Sequence, residues 1–125
     1  MQSTSILLVD DNAVQAGIRQ TILRRAGYNV IAVLNPERAL EQLRQNQFAE
    51  PISLVITDHI MPGMTGAQFT RELRVLAPTL PVLVVSGLEE AEEEYADLNV
   101  VFRLKPLPPE SLLSSVETLL GTTKA

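Results

Sequence analysis

Five short stretches of the chain are apolar at nearly every position: residues 6–9, 30–34, 54–56, 82–85 and 100–104, the last interrupted by Arg103. Unbroken apolar runs of this length, bounded by polar or turn residues, suit strands buried on both faces. The segments between them change to helical spacing. In the first, Val14, Ile18, Ile22 and Ala26 share a face before Gly27 stops it. In the second, Asn35 is a natural cap, Pro36 fits the first helical position, and Ala39, Leu40 and Leu43 form the stripe expected to be buried. A third begins near Gly66, turns Phe69, Leu73 and Leu76 inward, and cannot continue through Pro78. The last starts at Pro109, carries Leu112, Leu113, Val116, Leu119 and Leu120, and ends at Gly121. The fourth holds five glutamates, leaving only Leu88, Ala91, Tyr95 and Leu98 to bury, and is expected to be short. Strand and helix thus alternate five times, which predicts an α/β fold: a doubly wound (βα)5 domain with a five-stranded parallel sheet and right-handed crossovers.

Composition narrows the possibilities. A chain of 125 residues, 46% hydrophobic and 20% charged, is enough for one globular domain, expected over residues 1–125 with its core at about 5–121. A net charge of −5 without a basic block gives phosphate backbones nothing to bind, so direct nucleic-acid contact is not expected. No apolar run is long enough to span a bilayer, and the first residues lack a signal-peptide pattern. With no cysteine, disulfide and thiol chemistry are excluded, and the cytoplasm is the expected location.

In open parallel sheets ligands bind beyond the carboxyl ends of the strands. The residues there are Asp10 and Asp11, Asp58, Ser86 and Gly87, and Lys105 with Pro106. Singly, each has a plain structural role: Asp11 or Asn12 as a helix cap, Asp58 as a turn former before Met61-Pro62-Gly63, Ser86 as a cap, Lys105 as a solvated strand end. Together they put three carboxylates on one edge, and each close pair repels by roughly 4 kcal/mol at an effective dielectric near 20. A hard divalent cation relieves that repulsion, and Mg²⁺ takes one or two carboxylates, waters and a phosphate oxygen. With Lys105 as a second positive charge, the implied chemistry is phosphoryl transfer to an aspartate.

The ordered set Asp10-Asp11, Asp58 with Met61-Pro62-Gly63, Ser86-Gly87 and Lys105-Pro106 resembles the response-regulator receiver family over essentially the whole chain. The resemblance implies a flavodoxin-like receiver fold with strand order 2-1-3-4-5. It implies that Asp58 accepts a phosphoryl group from the phosphohistidine of a sensor histidine kinase or histidine phosphotransfer protein. Asp10, Asp11, Asp58 and the main-chain carbonyl of Ile60 would hold Mg²⁺, with Mn²⁺ able to replace it. Ser86 and Lys105 would contact the phosphoryl group, Gly87 would leave room for it, and the Lys105–Pro106 peptide would be cis. Such a domain catalyses only its own phosphorylation and dephosphorylation and acts on an output partner protein. The family's switch pairs Ser86 with the aromatic three residues before the lysine; Phe102 stands there, and it fits a switch or plain strand core equally.

Some positions depart from the family pattern. The stretch from Ser86 to Lys105 is a few residues short, which puts an output face built on the fourth helix in doubt, and its acidic run reads as a solvated surface. Ile60 and Leu88, flanking the phosphoryl position, are apolar and expected to hinder attacking water. His59, the single histidine, is expected to be an exposed strand-end side chain. Three rivals stand beside the receiver. A haloacid-dehalogenase-like phosphatase would need an acid two residues after its nucleophile, where Ile60 lies. A flavin carrier would need a phosphate loop where Asp10-Asp11 lies. A non-phosphorylated interaction module would need no intact site.

Overall fold

The computed structural model describes residues 4–121, so residues 1–3 and 122–125 of the expected domain lie outside the described residues. Its elements run β1 (Ser5–Val9), α1 (Ala13–Arg25), β2 (Val30–Val33), α2 (Pro36–Arg44), β3 (Ile52–Asp58) and α3 (Gly66–Leu76). They continue with β4 (Val82–Ser86), a 3₁₀ segment (Glu89–Tyr95), β5 (Val101–Leu104) and α4 (Pro109–Leu120). The strands form one sheet in the order β2-β1-β3-β4-β5, and every pairing is parallel.

The period-two alternation of the strands sorts the core into two layers. Leu7, Val9, Val55, Val82 and Val84 face α2, α3 and the 3₁₀ segment, packing on Leu40, Phe69, Leu73 and Tyr95. Ile6, Leu8, Leu54, Ile56, Leu83 and Val85 face α1 and α4, packing on Leu23, Leu112 and Val116. The helix ends are closed as the residues there dictate. Asn12, Asn35 and Thr65 accept backbone N–H groups as caps, the last in a reciprocal pair with Gln68. Gly121 takes the left-handed conformation that ends α4, at φ 63°.

Several expectations change: Leu76, expected to face inward, is 38% exposed, and Leu88, expected to be buried, is 41% exposed. The fourth helix is a 3₁₀ segment, since five glutamates leave it only Ala91 and Tyr95 to bury. The buried stripe of α1 is Ala16, Arg19 and Leu23, whereas Val14 and Ile18 are 74% and 57% exposed and Ala26 lies in the exposed cap. α1 is therefore rotated by roughly a third of a turn from the apolar stripe of its sequence, leaving Ile22 partly buried and an arginine facing inward.

Candidate functional site

β1 and β3 are central neighbours, so their carboxyl ends bring Asp10 and Asp58 to one edge; Asp10 is fully buried and Asp58 is 6% exposed. Asp58 is the last residue of β3 and Ser86 the last of β4, in adjacent strands. Lys105 follows β5 and is tied to the end of β4 by its N–H, which donates to the Ser86 carbonyl at 2.8 Å. The peptide between Lys105 and Pro106 is cis.

The two carboxylates are wired together. Lys105 Nζ donates to Asp58 Oδ2 at 2.9 Å, and the His59 N–H donates to Asp58 Oδ1 at 3.0 Å. Gln15 Nε2 donates to Asp10 Oδ2 at 2.6 Å and to Asp58 Oδ2 at 2.9 Å, bridging the pair. Asp10 Oδ1 accepts the Asn12 N–H at 2.9 Å, and Arg19 Nη1 pairs with Asp10 Oδ2 at 3.3 Å. Charge-assisted bonds of this kind are the strong ones, and in a buried site each replaces water that the carboxylates have lost.

Asp11 is exposed, and Asn12 rather than Asp11 caps α1. Among the described residues no three His, Cys, Asp or Glu side chains gather to hold a metal, so the expected three-carboxylate cluster is here a pair, Asp10 and Asp58, with Asp11 at its rim. Ile60 is exposed beside the site, as is Leu88. The Ser86 hydroxyl is buried and accepts the Leu88 N–H at 3.0 Å. A Cβ at Gly87 would meet nothing within 4 Å, so the space above β4 is open.

His59 is not the exposed side chain expected from its place at the strand end. It is 5% exposed, and its Nδ1 lies 2.7 Å from the Tyr95 hydroxyl. Its Nε2 lies 3.5 Å from Glu94 Oε2. The Tyr95 ring stands edge-on to His59 and lies 5.7 Å from the ring of Phe102, so Phe102 packs against the tyrosine from the 3₁₀ segment. Burial pushes the Tyr95 hydroxyl pKa well up, with the charges of Glu94 and then Asp58 adding to it.

Gln15, Arg19 and Tyr95 were not singled out from the sequence as site residues. Gln15 and Arg19 are four residues apart, the spacing that puts two side chains on one helix face, and both follow Asp10 closely. That spacing was the available signal. Tyr95 carried none, because a tyrosine among glutamates reads as the apolar residue of a solvated segment.

A parallel sheet of this order, with paired aspartates, a serine and a lysine at its carboxyl edge, defines a receiver-type domain. The chain belongs to the response regulator receiver domain family, which it matches over residues 6–117. It is similar to the transcriptional regulatory protein ZraR of Escherichia coli, with 35% identity over 94% of this chain and 26% of that protein. It is also similar to the hydrogenase transcriptional regulatory protein HoxA of Cupriavidus necator, with 30% identity over 92% of this chain and 23% of that one. The chain thus spans about a quarter of the length of these curated relatives. Among solved structures, a response regulator receiver protein from Sinorhizobium medicae superposes with a TM-score of 0.81 at 28% identity, covering 96% of each chain. A response regulator described from Chloroflexus aurantiacus gives 0.83 at 28% identity, over 97% of this chain and 99% of that one. The chain is a receiver domain of two-component response regulators, a family whose standard function is Mg²⁺-dependent phosphoryl transfer. Among the described residues no helix is long and apolar enough to cross a membrane.

Proposed function

We propose that residues 1–125 act as one receiver unit that takes a phosphoryl group from a phosphohistidine onto Asp58 and thereby switches its output surface. The observation that carries this reading is the Lys105–Asp58 ion pair of 2.9 Å, one shared amide away from the buried Asp10. Asp10 Oδ2 and Asp58 Oδ2 both lie within hydrogen-bond distance of the single Gln15 Nε2 atom, so two hard oxygen donors converge on one position. That donor set fits Mg²⁺, or Mn²⁺ in its place, with Asp10, Asp11, Asp58 and the Ile60 carbonyl as the residues that would hold it. When bound, the ion neutralises charge on the equatorial phosphoryl oxygens.

A carboxylate oxygen of Asp58 forms the new O–P bond while the P–N bond to the donor imidazole breaks, and the imidazole leaves with the bonding pair. Lys105, with no acceptor to offer, holds charge without moving a proton, and turns from Asp58 to a phosphoryl oxygen. Ser86 exchanges its bond from the Leu88 N–H for one donated to the phosphoryl group, and Phe102 moves into the space it leaves. Phosphorylation shifts the population toward that arrangement.

Ile60 lacks the proton that rapid phosphatase turnover needs, which favours a receiver that catalyses only its own modification over a phosphatase. A groove lined by Val14, Ile18, Ile22, Pro106 and Leu107 reaches Lys105, and its apolar wall suits a helix of a sensor histidine kinase or phosphotransfer protein. Output goes to a partner protein rather than to nucleic acid, given the charge of −5, and the setting is the cytoplasm.

Incubation with Mg²⁺ and acetyl phosphate should add one hydroxylamine-sensitive phosphate to the chain and none to Asp58→Asn. Failure of the wild-type chain to form the adduct would point instead to a non-phosphorylated interaction module.

A further inference from the structure

Inward-facing Arg19 is out of place on a helix face packed against a sheet, where Ala16 and Leu23 are its buried companions. Its partner is the fully buried Asp10, and the two side chains are 9% and 0% exposed. One turn earlier on the same face, Gln15 places its amide nitrogen on oxygens of both Asp10 and Asp58. With the N–H groups of Asn12 and His59 and the ammonium of Lys105, the chain's own donors engage all four oxygens of the two carboxylates. Two cations, Arg19 and Lys105, balance the two charges. A pocket whose two buried charges are already matched, with only the exposed Asp11 left over, has less to gain from a further cation.

We infer that Gln15 and Arg19 form an internal competitor for the divalent cation. The Gln15 amide occupies the point where the carboxylates converge and must be displaced, while Arg19 is a fixed positive charge that lowers the affinity of the pocket for metal. The inference rests on the phospho-acceptor reading, since only there does the pocket take a cation. It makes α1 the element that sets the metal concentration at which the domain becomes competent, and keeps the site folded below that concentration.

The test measures Mn²⁺ bound to the unphosphorylated chain, by electron paramagnetic resonance of the free ion, for the wild type, Gln15→Ala and Arg19→Met. Removing one unit charge beside the site should tighten Mn²⁺ binding on the order of tenfold in Arg19→Met. Gln15→Ala should tighten it severalfold, and since alanine is the best helix former that variant carries the test should Arg19→Met not fold. The melting temperature of Arg19→Met in EDTA should fall below that of the wild type and recover with saturating Mn²⁺, because Asp10 loses its counter-charge and regains one. Equal or weaker Mn²⁺ binding by both variants, with the wild type binding normally, would overturn the inference alone. No Mn²⁺ bound by any form at millimolar concentration would overturn the phospho-acceptor reading beneath it.

Discussion

Replacing Tyr95 by phenylalanine tests whether the 3₁₀ segment is anchored to the site through one buried hydroxyl. The ring remains to pack on Phe102 and His59, so the loss is the O–H alone. Tyr95 is 3% exposed and its hydroxyl is 2.7 Å from Nδ1 of the equally buried His59. Leaving that nitrogen without its partner out of reach of water costs about 1–3 kcal/mol. A second arm depends on pH. The Tyr95 pKa is raised by burial first, then by Glu94 and Asp58, so the folded chain keeps the proton that the unfolded chain releases near pH 10. The stability this group contributes is complete below that pH and falls as pH rises beyond it, by about 1.4 kcal/mol per unit. Phenylalanine has no proton to lose. Urea melts followed by far-ultraviolet circular dichroism, suited to a chain without tryptophan, should show the wild type ahead by about 1–3 kcal/mol near pH 8. Near pH 11 that lead should shrink by about 1.4 kcal/mol. A gap that is the same at both pH values would refute the buried, protonated tyrosine, and no gap near pH 8 would refute the His59 contact.

Lys105→Ala removes the cation 2.9 Å from Asp58, and self-phosphorylation by acetyl phosphate should slow by roughly 10²–10³, the effect of losing one preorganised electrostatic contact; a rate within twofold of wild type would count against its role. Ile60→Asn combined with Leu88→Glu puts polar groups at the two exposed apolar positions beside the site, and decay of the phosphorylated form should speed up by at least about tenfold, with an unchanged lifetime refuting water exclusion. A Cβ at Gly66 would collide with the Asp58 carbonyl and the Tyr95 hydroxyl, so Gly66→Ala should lower stability by about 1–3 kcal/mol in urea melts, and a neutral substitution would refute this close packing of α3 on the end of β3 and Tyr95.

The strands and the helix caps were legible because each is decided locally, and the strand-end residues because the order of the strands along the chain puts them on one edge. A run such as residues 82–85 has one sensible fate, a buried strand, and the Asn35-Pro36 pair has one sensible place, a helix start. What the sequence hid are choices made by contacts between distant residues. The apolar stripe Val14, Ile18 and Ile22 satisfies every rule for a buried helix face, yet α1 turns Ala16, Arg19 and Leu23 inward. Periodicity scores arginine as polar and so cannot see that Asp10, fully buried at the end of β1, needs a counter-charge which a guanidinium about two turns up the following helix can supply. His59 was misjudged for a related reason. A strand-end histidine is free to face solvent unless something covers it, and what covers it is Tyr95, thirty-six residues on, from the segment whose glutamates suggested only a solvated surface. Both misreadings place a buried polar group against a partner that no local pattern names, and both fall around Asp58. Asp58 could be singled out from the ordered set of strand-end residues Asp10, Asp11, Ser86 and Lys105; the groups that set its charge balance and its link to the 3₁₀ segment could be found only once the sheet had brought them together.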